Sequence, residues 1–374
     1  MPVIDADAHV AESPATFSDK YLDPAYRSRR PQVVDYGGRP HWLVDYQVFP
    51  RFSGPGPHSS GSPTRAGDVL SVYNKVKPES VESQELTDPS ARLRDMDREG
   101  LDVQVLYPTF FLAHNLSPDP AYAAALCSSY NRWLADATSA HRERLKWAAV
   151  VNLMDPALAA AEVRQAQQLG AAAVMIPGTA GDLPLHHPSL LPFFEEAARQ
   201  QLPIAVHVAW SSPSLDRLAT ELYYSTLIPF SFSLLAGFVS VLGSGLLDRF
   251  PELRVAFLEG GCQWVHFLQD RMDHRFAFIR KMQAAGLPVP LNGAQEPAID
   301  YLRRGNVYIS TEVEDRLLPE VIELIGASQV LFGSDMPHAD RETQAANTLR
   351  EREDLQPSDV DLMLYTNPRR LYGL

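Results

Sequence analysis

The sequence predicts a (β/α)8 barrel of the TIM type with a long irregular insertion after the first strand. Three observations support this fold class. Apolar segments of strand length alternate with helical patterns from about residue 89 onward, and these segments read as strands buried on both faces. The first strand also lacks the glycine-rich phosphate turn that typically follows the first strand of an open doubly wound sheet. The 374 residues are sufficient for one such domain, residues 1–374.

The first predicted strand carries Asp5, Asp7 and His9 at every second position. With a period of two, these side chains are expected to point the same way. A carboxylate and an imidazole that point to one place are typical of a metal site, and Glu12, three residues after His9, is a further candidate ligand. An exposed edge strand with a chance Asp-x-His pattern would give the same sequence. The motif therefore supports a metal site only together with similar residues at later strand ends.

Residues 13–88 show no clean periodicity and are rich in Pro, Gly and Ser. Long irregular segments inside a compact chain are often functional excursions. We therefore predict an insertion over the barrel mouth. Its aromatic residues favour an ordered excursion with a small hairpin around Gly37-Gly38, and Trp42 and Phe52 are candidates for part of a lid.

Seven further strands are predicted, separated by helical patterns. The helix over residues 89–99 ends at Gly100, and further helices are predicted over residues 120–141, 156–169, 189–201 and around 232–250. The predicted strands cover residues 103–107, 147–151, 172–176, 204–207, 255–258, 307–310 and 330–333.

Four polar residues end or closely follow an apolar strand: His9, His207, Glu259 and Asp335. The active sites of these barrels lie at the C-terminal ends of the strands, so the four are expected on one rim. Each has a structural alternative, as a core histidine, a helix-capping carboxylate or a turn residue. Buried carboxylates are costly unless they are paired or bind a metal ion, and one metal site explains all four together.

The composition of the chain excludes several classes of binding partner and several cellular settings. The net charge is −13 without a Lys/Arg cluster, which argues against nucleic acid and anionic membrane as partners. Cys127 and Cys262 have no paired-cysteine spacing, as expected for a cytoplasmic protein without disulfides. We find neither a signal-peptide pattern nor a run of about 18 apolar residues, so we expect no membrane span.

Four segments together carry a family resemblance: residues 5–12 (DADAHVAE), 92–100 (RLRDMDREG), 248–261 (DRFPELRVAFLEGG) and 332–338 (FGSDMPH). The chain resembles the amidohydrolase-related branch of the metal-dependent hydrolase superfamily, which includes aromatic-acid decarboxylases. The resemblance implies a metal-dependent barrel enzyme in which Asp7, His9, His207 and Asp335 bind the metal.

This sequence departs from many members of that superfamily at three positions. Asp7-x-His9 replaces His-x-His, Glu259 replaces a sixth-strand histidine, and Met175 occupies the fourth strand, which has no lysine to form a carbamylated bridge. Further ligands are available near the same strand ends. The full set of predicted ligands is Asp7, His9, Glu12, His207, Glu259, Glu312, Asp335 and His338. Its carboxylate content favours one or two divalent ions, with Fe, Mn and Zn as the candidates.

Two reaction types remain open from the sequence. The first is hydrolysis or non-oxidative decarboxylation of a bulky apolar carboxylic acid or its ester or thioester. In it Asp335 is the general base and His338 or Glu259 positions the substrate. The alternative follows from a divergent branch of the superfamily that includes a non-heme di-iron monooxygenase of secondary metabolism. In that case the reaction is hydroxylation of a bulky terpenoid-type acyl thioester.

The predicted substrate is a small molecule in a largely apolar pocket, although many of the same residues would equally serve core packing. The predicted pocket residues are Tyr107, Phe110, Trp210, Trp264 and His266. The apolar run from 218 to 235 is a candidate face for a homo-oligomer or part of the core.

Overall fold

The computed structural model describes residues 1–51, 54–58, 63, 79–114, 116–289, 293–339 and 341–374. Eight parallel strands form one sheet in which strands adjacent in the chain are paired. The strands are β1 Ile4–Val10, β2 Val103–Pro108, β3 Leu145–Val150, β4 Ala173–Pro177, β5 Ile204–His207, β6 Val255–Leu258, β7 Val307–Thr311 and β8 Val330–Phe332. All eight predicted strands are therefore confirmed.

Helices separate most of the strands and cover the outside of the sheet. Among the described residues, the α-helices of six or more residues are α1 Pro89–Glu99, α2 Pro120–Ala137, α3 Pro156–Leu169, α4 Leu191–Arg199, α5 Phe232–Gly243, α6 Trp264–Ala284, α7 Ala298–Arg303, α8 Leu318–Ile325, α9 Ala345–Arg350 and α10 Asn367–Tyr372. Aspartate side chains cap the first three of these helices, and each has proline in its first turn. This pattern of strands and helices is the predicted TIM-type (β/α)8 fold.

Hydrogen bonds near the C-terminal ends of β1 and β8 nearly close the barrel. Asp335 N donates to Asp7 O at 2.9 Å, and His9 N donates to Met336 O at 2.6 Å. We call this junction, residues 5–9 together with 333–337, the seam. Gly333 is required there, because a Cβ atom at this position would lie 2.7 Å from Asp7 Cβ.

Most inward and outward strand positions are apolar, which explains why the strands show no polar alternation. Small residues such as Ala148, Ala205 and Ala256 belong to the inner cluster. Larger residues such as Ile176 and Val206 belong to the outer cluster, which packs against the helices. Burial on both faces is the condition that produces continuous apolar strands.

The first strand departs from the predicted period of two. Asp5 pairs with Gln104 and Ala8 pairs with Leu106, so three steps along β1 match two along β2. Such an irregularity reverses the side-chain alternation on one strand. Asp5 consequently contacts Gln104 and Ser334, whereas Asp7 lies beside His9 and His207. The prediction that Asp5 shares a direction with Asp7 and His9 was wrong.

The described part of the insertion contains regular structure. Strands Gln32–Tyr36, Arg39–Val44 and Gln47–Phe49 form an antiparallel sheet, which confirms the hairpin around Gly37-Gly38. Trp42 is fully buried and stacks on Phe110, just beyond the C-terminal end of β2, with ring centroids 5.1 Å apart. Phe52, the other predicted lid residue, lies outside the described residues.

One long apolar stretch contradicts the expectation that the chain has none. Leu222–Gly243 is long and apolar enough to cross a membrane by length and composition, and 44% of its most apolar window is buried. Its second half, α5, packs on the barrel: the rings of Phe238 and Phe257 are 5.2 Å apart. This part of the stretch is a helix of the barrel's outer layer.

Candidate metal site and active site

Six of the eight predicted ligands come together at the C-terminal ends of the strands. They form two overlapping groups, and within each group the ligand atoms lie within 4.8 Å of one another. The first group is Asp7, His9, His207 and Glu259, and the second is His9, Glu259, Asp335 and His338. We call the six residues the cluster. They come from the ends of β1 and β5 and from the turns that follow β6 and β8.

His9 and His207 both direct Nε2 at the carboxylates of the cluster. His9 Nδ1 lies 2.8 Å from Pro108 O and His207 Nδ1 lies 3.0 Å from Val208 O. A carbonyl oxygen can only accept, so each Nδ1 carries a proton and each neutral ring has its lone pair on Nε2. The backbone thus sets the tautomer that ligates a metal through Nε2.

The carboxylates surround these lone pairs. His9 Nε2 lies 3.0 Å from Glu259 Oε2, 3.3 Å from Asp335 Oδ1 and 3.5 Å from Asp7 Oδ1. His207 Nε2 lies 3.3 Å from Asp7 Oδ1 and 3.4 Å from Glu259 Oε2. Lone pairs and carboxylate oxygens repel one another unless a proton or a metal cation lies between them. The donor set therefore fits a divalent metal ion.

Burial and charge shift the pKa values of the two histidines in opposite directions. Desolvation, followed by the neighbouring His338, holds the pKa of His9 well below its usual value. Desolvation also opposes protonation of His207, but the charge and hydrogen bond of Asp7 outweigh it, so the pKa of His207 is raised. His9 is thus the ring kept neutral, as a metal ligand must be, whereas His207 favours a proton toward Asp7 that a metal ion bound at Nε2 would displace.

Two cluster carboxylates occupy left-handed backbone conformations. Glu259 has φ of 58° and Asp335 has φ of 55°, and each follows the end of its strand. Such conformations cost of order 1–3 kcal/mol in residues other than glycine and persist where surrounding contacts impose them. They turn both carboxylates toward the cluster.

His338 and Asp335 form the more open side of the cluster. His338 Nδ1 lies 2.6 Å from Asp335 Oδ1, and the two side chains are 14% and 24% exposed. His338 Nε2 lies 3.0 Å from Thr109 Oγ1. Thr109 was not predicted from the sequence, although it directly follows the end of β2. The expectation that active-site residues lie at the C-terminal ends of the strands would have identified it.

Two predicted ligands lie outside both groups. The buried Glu12 carboxylate accepts hydrogen bonds from the backbone N–H groups of the turn after β2: Thr109 at 3.2 Å, Phe110 at 2.7 Å and Phe111 at 3.4 Å. Desolvation nevertheless raises the pKa of Glu12 to about 7. Glu312 is exposed on the turn after β7. Neither residue belongs to the cluster: Glu12 binds backbone N–H groups, and Glu312 is an exposed residue outside the two groups.

Two predicted pocket residues belong to the inner cluster of apolar side chains. The ring of Tyr107 is 5.4 Å from that of His207, and its hydroxyl contacts Tyr372 OH at 2.8 Å. Trp210 is buried, and its Nε1 donates to Ser225 Oγ at 2.7 Å. Both residues thus lie on the inward side of the barrel, as a pocket wall requires.

The other three predicted pocket residues lie elsewhere. Phe110 is fully buried against Trp42 of the insertion. Trp264 packs on Phe238, with ring centroids 4.9 Å apart, in the layer between sheet and helices. His266 is exposed on α6. These assignments are corrected, because the direction of a side chain at a helix start cannot be read from an apolar pattern alone.

A barrel with histidines and carboxylates converging at the C-terminal ends of its strands is the architecture of a metal-dependent enzyme. The sequence pattern of the family described as Amidohydrolase matches residues 4–374. The chain belongs to the amidohydrolase family.

Individual relatives are distant. The chain is 26% identical over 279 residues to a gamma-resorcylate decarboxylase from Polaromonas sp. (strain JS666 / ATCC BAA-500), covering 71% of this chain and 82% of that protein. The structure resembles an amidohydrolase from Mycobacterium avium subsp. paratuberculosis K-10 with a TM-score of 0.77, at 22% identity over 100% of this chain and 99% of the other.

A further similar structure contains a metal ion. It is a mutant of 5-carboxyvanillate decarboxylase from Novosphingobium aromaticivorans with bound manganese and 3-methoxy-4-hydroxy-5-nitrobenzoic acid. The TM-score is 0.67 and the identity 19%, over 82% of this chain and 86% of that chain. At these identities the structural likeness concerns the fold.

Proposed function

We propose that this chain is a decarboxylase that removes CO2 from an aromatic carboxylic acid without oxidation and depends on a divalent metal ion, Mn2+. The observation that carries the proposal is the cluster at the barrel mouth, in which His9 and His207 direct Nε2 at three carboxylates. The decarboxylase relatives support this reaction type over hydrolysis and oxygenation. Oxygen-rich ligand sets favour Mn2+.

We assign Asp7, His9, His207 and Asp335 as ligands, with Glu259 completing or flanking the set. When bound, the ion would act as a Lewis acid that holds and polarises the substrate carboxylate. The backbone carbonyls of Pro108 and Val208 keep the two histidines oriented for this task.

Decarboxylation also needs a proton. The bond between the ring carbon and the carboxyl carbon breaks, its electron pair stays on the ring carbon, CO2 leaves, and a proton must reach that carbon. Asp335 is the most exposed of the three cluster carboxylates, at 24% against 15% for Glu259 and 4% for Asp7. His338, 2.6 Å away, can hand Asp335 a proton, so this pair is the proposed proton donor.

The test uses metal-depleted protein reconstituted with Mn2+ and supplied with hydroxylated benzoic acids, and in parallel with their esters. We expect release of CO2 with formation of the corresponding phenol and no oxygen uptake. Asp335→Asn should lower kcat by about 100-fold or more, the range lost with a general acid.

Glu312→Gln is the matched control, because Glu312 also follows a strand but is exposed and lies outside the cluster. Its activity should equal that of the unmodified protein. Ester hydrolysis without CO2 release, or stoichiometric oxygen consumption, would refute the proposal in favour of hydrolysis or oxygenation.

A further inference from the structure

A second buried polar network lies behind the cluster at the seam. Asp5, Arg92 and Gln104 are completely buried, each with a relative exposure of 0%. None of the three belongs to either ligand group. Ser334, next to Asp335, is 5% exposed and completes the set. We call Asp5, Arg92, Gln104 and Ser334 the seam network.

The hydrogen bonds of the seam network have a fixed direction. Arg92 can only donate, and its Nε donates to Gln104 Oε1 at 2.8 Å. Gln104 must therefore turn its amide nitrogen outward, and Nε2 donates to Asp5 Oδ2 at 2.9 Å. Asp5 Oδ2 also accepts from Ser334 Oγ at 2.5 Å. Because Arg92 only donates and the Asp5 carboxylate only accepts, the orientation of the Gln104 amide and of the Ser334 hydroxyl is fixed between them.

The network holds the backbone on both sides of Asp335. Ser334 N donates to Asp5 Oδ1 at 2.9 Å, and Met336 N donates to Ser334 Oγ at 3.1 Å. Arg92 Nη2 reaches the carbonyl oxygens of both Met336 and His9, at 3.0 and 2.9 Å. One guanidinium group therefore joins the strand that carries His9 to the turn that carries Asp335.

This arrangement explains how Asp335 keeps its left-handed conformation. Its two neighbours in the chain are fixed by side chains of β1 and α1, Ser334 by Asp5 and Met336 by Arg92, and its own N–H donates to Asp7 O. A conformation of this kind persists only where the surroundings impose it. Residues behind metal ligands that orient them commonly contribute 10–100-fold to metal affinity.

We propose that Arg92, acting through Gln104, Asp5 and Ser334, is a positioning residue that sets Asp335 and His9 at metal-binding distance. This inference rests on the proposed function for the identity of the ligands. Within the described residues, Arg92 makes no hydrogen bond to a cluster side chain, so it acts through the backbone that it and the other residues of the seam network hold.

The test measures binding of Mn2+ alone to metal-depleted protein, by competition with a fluorescent chelator and by the EPR spectrum of bound Mn2+. Arg92→Lys keeps the charge but cannot supply three directed donors in a plane. We expect the dissociation constant for Mn2+ to rise 10- to 100-fold and the EPR spectrum to change.

Arg254→Lys is the matched control. Arg254 also bridges two backbone carbonyls, Arg370 O at 2.8 Å and Gln201 O at 2.7 Å, but it directly precedes β6, at the opposite end of the barrel. Its Mn2+ affinity should equal that of the unmodified protein. Ser334→Ala is a milder second variant that removes one hydroxyl, and we expect a smaller rise in the same dissociation constant.

Three outcomes separate the hypotheses. Weaker Mn2+ binding in Arg92→Lys and Ser334→Ala but not in Arg254→Lys supports the positioning role. Unchanged affinity in both seam variants, or equal loss in Arg254→Lys, overturns it. If the seam variants lose affinity as expected but no aromatic acid is decarboxylated, the proposed function fails and the positioning role stands.

Discussion

Two glutamates show how local contacts decide the role of a residue. Glu12 and Glu259 both follow the C-terminal end of a strand, and the sequence predicts both as metal ligands. Glu12 satisfies three backbone N–H groups, whereas Glu259 faces the Nε2 atoms of His9 and His207. One carboxylate therefore supports the fold and the other the proposed metal site.

Alanine substitutions should separate these roles. Glu12→Ala leaves buried N–H groups without an acceptor, and we expect a loss of about 3 kcal/mol in the free energy of unfolding. Its folded form should bind Mn2+ normally. Glu259→Ala should weaken Mn2+ binding at least about 10-fold, while the metal-free protein should lose little stability because a carboxylate leaves a crowded site.

Denaturant titration and Mn2+ titration of both variants are the measurements. The assignment of Glu12 to the backbone would be wrong if Glu12→Ala lost metal affinity without losing stability.

The sequence predicted residues of the site well where a simple rule held. His9, His207, Glu259 and Asp335 all lie at or just beyond strand ends, and that position alone predicts their convergence. Asp7 follows from its spacing of two residues to His9 on the same strand. The predicted direction of the Asp5 side chain was wrong, because the pairing irregularity in β1 is set by its neighbouring strand and by the seam. Arg92 was missed as well, although it shares the buried face of α1 with Ala91 and Met96.

At the scale of elements, the strands were predictable because their apolar runs are short and bounded by helices. The packing between elements was not, since it depends on distances that no local pattern contains. The contact between α5 and the end of β4 is an example. A Cβ atom on Gly237 would lie 2.7 Å from Gly178 Cα and 3.1 Å from Val206 Cγ1.

Gly237→Ala should therefore destabilise the protein. Neither contact partner can move easily, because Gly178 contributes backbone and Val206 lies in β5. Overpacking of this kind costs roughly 1–3 kcal/mol, and thermal and denaturant unfolding would measure it.

Gly243→Ala in the same helix is the control. The nearest atom to its added Cβ would be Met272 Cε at 3.6 Å, an ordinary contact. Its stability should be unchanged or slightly increased, since alanine favours helix over glycine by up to about 1 kcal/mol. Equal stability of the two variants would show that α5 shifts freely on the barrel.

At the scale of the whole molecule, the cluster links four strands that are far apart in the chain. Asp7 and His9 come from β1, His207 from β5, and Glu259 and Asp335 follow β6 and β8. Folding without a cation brings three carboxylates together, and their mutual repulsion opposes closure of the barrel. A bound ion would turn that repulsion into attraction, so stability should depend on metal.

Removal of metal by a chelator should lower the melting temperature by several degrees, and added Mn2+ should restore it. Binding to the folded state alone stabilises by about 4 kcal/mol when free Mn2+ is 1,000-fold above its dissociation constant. Amide hydrogen exchange should rise on chelation in β1 and in the turn after β8, where ligands and seam coincide. It should change less in β3, which contributes no cluster residue. A melting temperature and exchange pattern insensitive to the chelator would mean that the barrel closes through its hydrogen bonds alone, and that the cluster takes no part in holding the fold.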